Sequence, residues 1–223
     1  MPNDSNIKET TDGDSPEVTD AFALPIEASL DLVAEPSVVE RAQRGDAAAI
    51  DALTRSHVRM VERMLFRMLG ARADLEDLVQ NVFLEMCRVL PRFRNESSFT
   101  TFLGGITTIV ARRAMRPTAF DRRRAVLADD ILSESSDPER ATVDRRRIDA
   151  LHRALSAVPD HHRIAFTLWA LEGLEPKVIA DMTGATLSAT RSRIFYAQKH
   201  LKESARTDAW LAEWLGGSDD ESR

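Results

Sequence analysis

The sequence predicts an all-α protein of two small helical domains joined by a flexible linker. Apolar residues recur at helical spacing through most of the chain, and no stretch of useful length alternates as a half-buried strand does. Leu, Ala, Arg and Met are plentiful while aromatic residues make up only 6%, a composition that favours helices. A charged segment rich in Ser and Pro, residues 117–147, separates the two helical regions and is predicted to be the linker.

Charge is distributed unevenly along the chain. Residues 1–36 hold nine acidic residues and one lysine with little periodicity, which predicts a disordered acidic N-terminal extension. The helical regions 37–116 and 148–204 carry more basic than acidic residues, although the whole chain has a net charge of −6. This asymmetry permits a polyanionic partner for the middle of the chain. We hypothesise that the acidic extension folds back on those basic surfaces, and the alternative is a passive solubilising tail.

Composition also excludes several classes of protein. No apolar run approaches the roughly 20 residues that span a bilayer, and the polar, acidic start is no secretory signal. A single cysteine, Cys87, fits a reducing cytoplasm, and its apolar helical setting predicts a buried thiol. The five histidines show no metal-ligand spacing, and no phosphate-binding glycine loop or nucleophile elbow occurs. We therefore expect a cytoplasmic protein without catalytic activity, metal or cofactor.

The first domain is predicted to contain three helical stretches. Ser37 is a suitable cap for the first stretch, which Gly70 ends. Asp74 is expected to cap the second, which Pro91 ends and whose remaining surface is acidic and amide-rich. The third runs from the loop "RFRNESS" to Pro117.

The second domain ends in a pattern typical of a helix-turn-helix. Pro176 suits a first helical turn, Gly184 can turn the chain in the left-handed conformation, and Thr186 or Ser188 can cap the helix that follows. An inward face is predicted at Leu187, Thr190, Ile194, Ala197 and Leu201. An outward face of small and basic residues is how a recognition helix reaches base edges. Helical hairpins of this kind also fill many bundles that never touch DNA, so this stretch alone leaves both interpretations open.

Two stretches in this order resemble a known family. "LGARADLEDLVQNVFLEMCRVLPRFRNESSFTTFL" resembles region 2 of the sigma-70 family of RNA polymerase sigma factors, in the extracytoplasmic-function (ECF) branch, and the sequence from "ALSAVPDHHR" to "YAQKHLKE" resembles region 4. The combination of "EDLVQ", "PRFR" and "ESSF" is specific evidence for this family, whereas a helix-turn-helix alone is weak evidence. The resemblance covers roughly residues 38–116 and 148–203.

The resemblance implies partners and site residues. Core RNA polymerase would be bound through its clamp coiled coil and its flap, promoter DNA would be the second partner, and an anti-sigma factor is left open. The helix after Asp74 would grip the clamp through Asp77, Leu78, Gln80, Asn81 and Phe83. The minus-ten element would be opened by Arg92, Arg94, Asn95, Ser97, Phe102, Arg112 and Arg113. The minus-thirty-five element would be read by Ser188, Arg191, Ser192, Arg193 and Lys199.

The chain departs from the family pattern at several positions. Phe102 replaces the usual Trp, and Gly104 and Gly105 replace bulkier residues at a cost of roughly 1 kcal/mol each in helix stability. Phe195 and Tyr196 stand where basic residues are common. These changes put promoter melting and promoter sequence in question. The alternatives are a stand-alone helix-turn-helix regulator, and a degenerate sigma-like protein that binds polymerase but no longer opens promoters.

Overall fold

The computed structural model describes residues 36–115 and 151–206. Within these two ranges every regular element is helical, as the sequence predicts. The predicted N-terminal extension (1–36), the linker (117–147) and the acidic C-terminal tail with a possible short helix that the sequence predicts for 205–223 lie almost entirely outside the described residues. The helices are α1 (Pro36–Gln43), α2 (Ala47–Leu69), α3 (Leu75–Val89), a 3-10 turn (Leu90–Arg92), α4 (Phe99–Met115), helical residues 151–155, α5 (Asp160–Ala170), α6 (Pro176–Thr183) and α7 (Leu187–Ala205).

The first helical stretch is divided in two, which the sequence analysis did not anticipate. Pro36 already belongs to α1, so Ser37 does not cap it, and the chain turns at Gly45 with a φ of 85°. Asp46 then begins α2, because its carboxylate accepts hydrogen bonds from the backbone amides of Ala48 and Ala49. Gly70 ends α2 as predicted.

The start of α3 also differs from the prediction. Asp74 precedes the helix but makes no capping hydrogen bond. Its carboxylate instead accepts from the Arg72 guanidinium at 2.6 and 2.8 Å, because a bidentate ion pair outcompetes a neutral amide donor for the same oxygens. The helix ends before Pro91, where the 3-10 turn follows, as expected from the missing amide hydrogen of proline.

The helix-turn-helix forms as the sequence predicts. Pro176 occupies the first turn of α6, and Gly184 ends it in the left-handed conformation with φ 64° and ψ 29°. Of the two predicted caps Thr186 is the one used, since its hydroxyl accepts from the amide of Ala189 at 3.2 Å.

The core is one continuous apolar cluster. In the first domain α2 packs against α3 and α4, and in the second α5 packs against α6 and α7. The two domains also touch, because α4 packs on α6 and both α2 and α4 contact α5. Side chains that are at most 2% exposed occur in both domains, among them Met60, Met64, Met68, Leu103, Leu155, Phe166, Ala197 and Leu201.

Candidate functional site

The outer face of α3 presents an acidic and amide-rich surface. Asp77, Gln80 and Asn81 are exposed, and Leu78 is half-buried against the core. Glu76 and Asp77 lie in the first turn, where the positive end of the helix dipole favours carboxylates. The surface suits a basic partner, and four of the five predicted polymerase contacts are accessible on it.

The remaining predicted contact on α3, Phe83, is corrected by the structure. Phe83 is only 9% exposed and packs in the core beside Val82 and Met86, so it stabilises the domain rather than offering a contact. The sequence analysis missed Leu84, which is 67% exposed. At 100° per residue Leu84 falls between Gln80 and Asp77 on the outer face, so a helical projection predicts its exposure.

Cys87 is exposed, contrary to the predicted buried thiol. The buried stripe of α3 runs through Leu75, Val82 and Met86, and Cys87 lies one residue beyond it, rotated by about 100° towards solvent. Cys87 therefore lies at the edge of the surface that carries Asp77 and Gln80.

The loop between the 3-10 turn and α4 displays the predicted minus-ten residues. Arg92, Arg94 and Ser97 are exposed. Asn95 is also exposed and adopts a left-handed conformation with φ 56°, which asparagine tolerates better than most side chains. The Gln43 side-chain amide donates to the carbonyl of Phe93 at 2.6 Å, so α1 holds the base of this loop.

Three aromatic rings support the same loop. Phe93 and Phe102 are half-buried and stack with their centroids 4.3 Å apart. Phe99 is 5% exposed and meets the buried ring of His57 edge-on at 5.0 Å, so it belongs to the core. Phe102 occupies the position of the usual family Trp, and in this structure its ring already has an intramolecular stacking partner.

A groove of about 460 Å³ runs beside α4. Three predicted minus-ten residues, Ser97, Phe102 and Arg113, line it, while Arg112 is exposed at the C-terminal end of the same helix. Arg113 lies 3.8 Å from the carboxylate of Glu85. The opposite wall is formed by Asp181 and Met182 of α6. The groove is therefore an interdomain feature.

Helix α7 presents the predicted outward face. Ser188, Arg191, Ser192 and Lys199 are exposed, and Arg193 is half-exposed towards α5. The predicted inward residues Thr190, Ile194, Ala197 and Leu201 are at most 6% exposed. Leu187, the first residue of the helix, is the exception at 39% exposure.

Two exposed aromatic rings extend this face. Phe195 is 61% exposed and Tyr196 is 58% exposed, and their rings meet edge-on at 6.0 Å. Tyr196 also meets His162, at the start of α5, at 5.8 Å. Burial and the nearby charges of His161 and Arg193 lower the pKa of His162, so the neutral imidazole is favoured beside these rings.

The histidines of the described ranges differ in burial and in their neighbours. Among the described residues no group of His, Cys, Asp and Glu is arranged to hold a metal ion. His152 lies half-buried against Gly70, and its desolvation, together with the charge of Arg163, lowers its pKa to about 4. It is a packed, neutral side chain. Of the helices in the described ranges, none has the length and apolarity to cross a membrane.

Comparisons with known proteins show which family this chain resembles in sequence. The family Sigma-70 region 2 matches residues 53–120. The chain is 30% identical over 184 residues to the RNA polymerase sigma-H factor of Pseudomonas aeruginosa, covering 76% of this chain and 93% of that protein. It is also 30% identical over 174 residues to the ECF RNA polymerase sigma-E factor of Escherichia coli, covering 74% and 90%.

A solved structure shares the fold. CnrH, in complex with the cytosolic domain of CnrY, matches with a TM-score of 0.56 and 20% identity over 77% of this chain and 97% of that one.

Proposed function

This chain belongs to the extracytoplasmic-function branch of the sigma-70 family, and we propose that it divides the work of a sigma factor between the surfaces described above. As a sigma factor it binds core RNA polymerase and directs it to promoters. The outer face of α3 would take the clamp coiled coil. The loop around Asn95, together with α4, would open the minus-ten element, and α7 would read the minus-thirty-five element.

The exposed stripe of α3 is the observation that carries the polymerase-binding half. Asp77, Gln80, Asn81 and Leu84 share one face, and all four are exposed in the described part of the chain. An apolar side chain ringed by acidic and amide groups is a suitable centre for an interface with a basic partner helix. Leu84 would be desolvated on binding while the polar groups fix the register.

The exposed face of α7 supports the DNA-binding half. Arg191 can donate two hydrogen bonds to a guanine edge, and the hydroxyls of Ser188 and Ser192 suit phosphate oxygens. Thr186 fixes the start of the helix, so these side chains project from a rigid N-terminal turn. Around the minus-ten loop, Arg92 and Arg94 would bind the backbone of the separated strand.

Two further partners are part of the proposal. The second domain would contact the polymerase flap, which places α7 over upstream DNA. An anti-sigma protein would regulate the factor, and the analogy is CnrH, whose structure was solved with the cytosolic domain of CnrY.

Charge reversal on α3 tests the polymerase-binding surface. Asp77→Arg places a cation opposite the basic clamp, so we expect affinity for core polymerase to fall at least about tenfold. The matched control is Glu40→Arg, an exposed acidic residue on α1 outside the stripe. Affinity is measured by fluorescence anisotropy with purified bacterial core enzyme. Equal losses in both variants, or none in Asp77→Arg, would contradict the assignment.

A further inference from the structure

We infer that the exposed ring pair of α7, Phe195 and Tyr196, is the docking site for the chain's own C-terminal segment, residues 207–217. Docked there, the segment would cover the outward face of α7 in the free protein and exclude DNA from that face. The docking itself depends only on contacts within this chain. The exclusion of DNA rests on the proposed function of α7.

The ring pair is an apolar surface in the middle of a polar helix face. Phe195 is 61% exposed and Tyr196 is 58% exposed. Phe195 falls in line with the exposed residues Ser192 and Lys199 at helical spacing, so its ring lies at the centre of the outward face. Adjacent exposed aromatic rings form a contiguous apolar patch, and such patches mark binding surfaces more often than scattered single residues do.

The C-terminal segment carries apolar side chains that suit this patch. Trp210 and Trp214 are two of the three tryptophans in the chain. Together with Leu211 and Leu215 they recur at a spacing that would put four large apolar side chains on one side of a helical turn. Indole rings bury a large apolar area and gain further stability from edge-to-face and offset contacts with other rings. The segment therefore has an apolar side that requires cover.

Charge favours a segment that runs back along α7. Between the ring pair and the end of the helix, Lys199, Lys202 and Arg206 are exposed, against one exposed acidic residue, Glu203. Residues 207–223 hold five acidic residues and one arginine. Opposite charges therefore attract the segment to the outward face, and a cation beside an indole ring adds a cation–π contact.

The segment is long enough to reach the ring pair. Helix α7 ends at Ala205 with Arg206 as its C-cap, so the chain can reverse direction there. Tyr196 lies about 15 Å before Arg206 along the helix, at 1.5 Å per residue. The residues from Arg206 to Trp214 span about 26 Å when extended, or about 19 Å if four of them form a helical turn. Trp214 can therefore contact the ring pair while Trp210 lies over the lysines.

Docking would also cover residues that are proposed to read the promoter. Ser192 lies one turn before Phe195 and Lys199 lies one turn after it, on the same exposed face. A segment that covers Phe195 covers both neighbours, and its carboxylates repel the phosphates that would approach Lys199. The segment and promoter DNA would then exclude each other on α7.

Tryptophan fluorescence tests the docking in the full-length protein. Trp169→Phe removes the tryptophan of α5 and leaves Trp210 and Trp214 as the only tryptophans. Docked indole rings are shielded from a dissolved quencher, so we expect acrylamide to quench them about twofold less than it quenches a synthetic peptide of residues 207–217.

Two serine variants in this background locate the docking site. Phe195→Ser combined with Tyr196→Ser should raise the quenching to the level of the peptide, because the apolar partner of the segment is removed. Leu84→Ser is the matched control, since it removes a 67% exposed apolar side chain from α3, and it should leave the quenching unchanged. All three positions are exposed, and circular dichroism of each variant checks that helical content is preserved.

Binding of a nonspecific duplex tests the exclusion of DNA. Trp210→Ser combined with Trp214→Ser releases the segment from the ring pair without changing any charge. This variant should therefore bind a short duplex of arbitrary sequence at low salt about threefold more tightly than the wild type. Trp169→Phe, which alters a tryptophan outside the segment, should bind the same duplex as the wild type does.

Each part of the inference has an outcome that overturns it. Peptide-like quenching in the Trp169→Phe protein, or equal quenching in the ring-pair and Leu84→Ser variants, would refute the docking. Shielding that disappears on dilution would mean that the segment docks on a second copy of the chain, which contradicts docking within one chain. Unchanged duplex affinity after release of the segment would refute the exclusion of DNA. Failure to bind core polymerase would refute the proposed function instead, and the fluorescence comparison would still decide the docking.

Discussion

At the scale of single residues, the outer face of α3 contains a native chemical probe. Cys87 is the only cysteine in the chain and is exposed at the edge of the proposed polymerase surface. A maleimide should therefore modify the folded protein rapidly, and bound core polymerase should slow the reaction. Mass spectrometry of the modified fraction over time measures both rates. A slow reaction in the free protein would contradict the exposure of Cys87, and an unchanged rate with polymerase would place the interface elsewhere.

A second residue-scale prediction concerns the pH dependence of stability. His152 is half-buried beside Gly70, and its pKa falls to about 4 from an ordinary 6.5, so the folded state keeps it neutral where the unfolded chain takes up a proton. The stabilisation that results from keeping His152 neutral is complete above pH 6.5 and is lost as the pH falls towards 4. The free energy of unfolding should fall by about 2 kcal/mol from pH 7 to pH 5 for this group alone.

The matching variant isolates this histidine from the others. His57 and His162 also have lowered pKa values through burial, and they add to the same slope. His152→Leu should therefore reduce the pH dependence without abolishing it. Urea unfolding at the two pH values measures the slope. An identical slope in the variant and the wild type would mean that His152 titrates normally in the folded protein.

At the scale of elements, the proposed role of helix α7 in reading the minus-thirty-five element can be tested by removing one side chain. Arg191→Ala should weaken binding of holoenzyme to promoter DNA by about 1–3 kcal/mol if the guanidinium contacts a guanine edge, and should relax sequence preference at that position. The control is Arg153→Ala, which removes one exposed positive charge from residues 151–155. Competition binding with a promoter fragment measures the affinity of holoenzyme that contains either variant. Equal weakening in the two variants would indicate a general charge effect rather than recognition by α7.

Most elements were predictable because their signals are local. Pro176, Gly184 and Thr186 act through backbone geometry within a few residues, and the structure uses each as expected. A local signal gives the wrong prediction where a neighbouring residue binds the same side chain more strongly. Asp74 has the side chain of a helix cap, but the bidentate pair with Arg72 takes its oxygens.

The faces of the candidate site, like the helix ends, were predictable where the signal is local. A helical projection predicts the polar outer face of α3 and the outward face of α7. The same projection separates Phe83 from Leu84, which are adjacent in sequence and opposite in burial, whereas the family motif alone does not distinguish their faces. The aromatic support of the minus-ten loop needed tertiary structure, since Phe93 and Phe102 lie on different elements.

At the scale of the whole molecule, the relation between the domains was beyond prediction from sequence. From the sequence, Gly104 and Gly105 show only their cost to helix stability. In the structure a Cβ atom at either position would approach Met182, far along the chain, and no periodicity links the two sites. The same holds for Arg67 and Glu172, whose pairing requires both domains to be in place.

The central claim is that this chain makes core RNA polymerase start transcription at specific sites, and run-off transcription tests it most directly. Purified core enzyme, with and without the full-length protein, is supplied with a library of genomic fragments, and transcript 5′ ends are sequenced. The account predicts discrete start sites that appear only with the protein, share upstream sequence, and weaken together in Asp77→Arg and Arg191→Ala. Transcripts that do not depend on the protein, or that start at random positions, would contradict it.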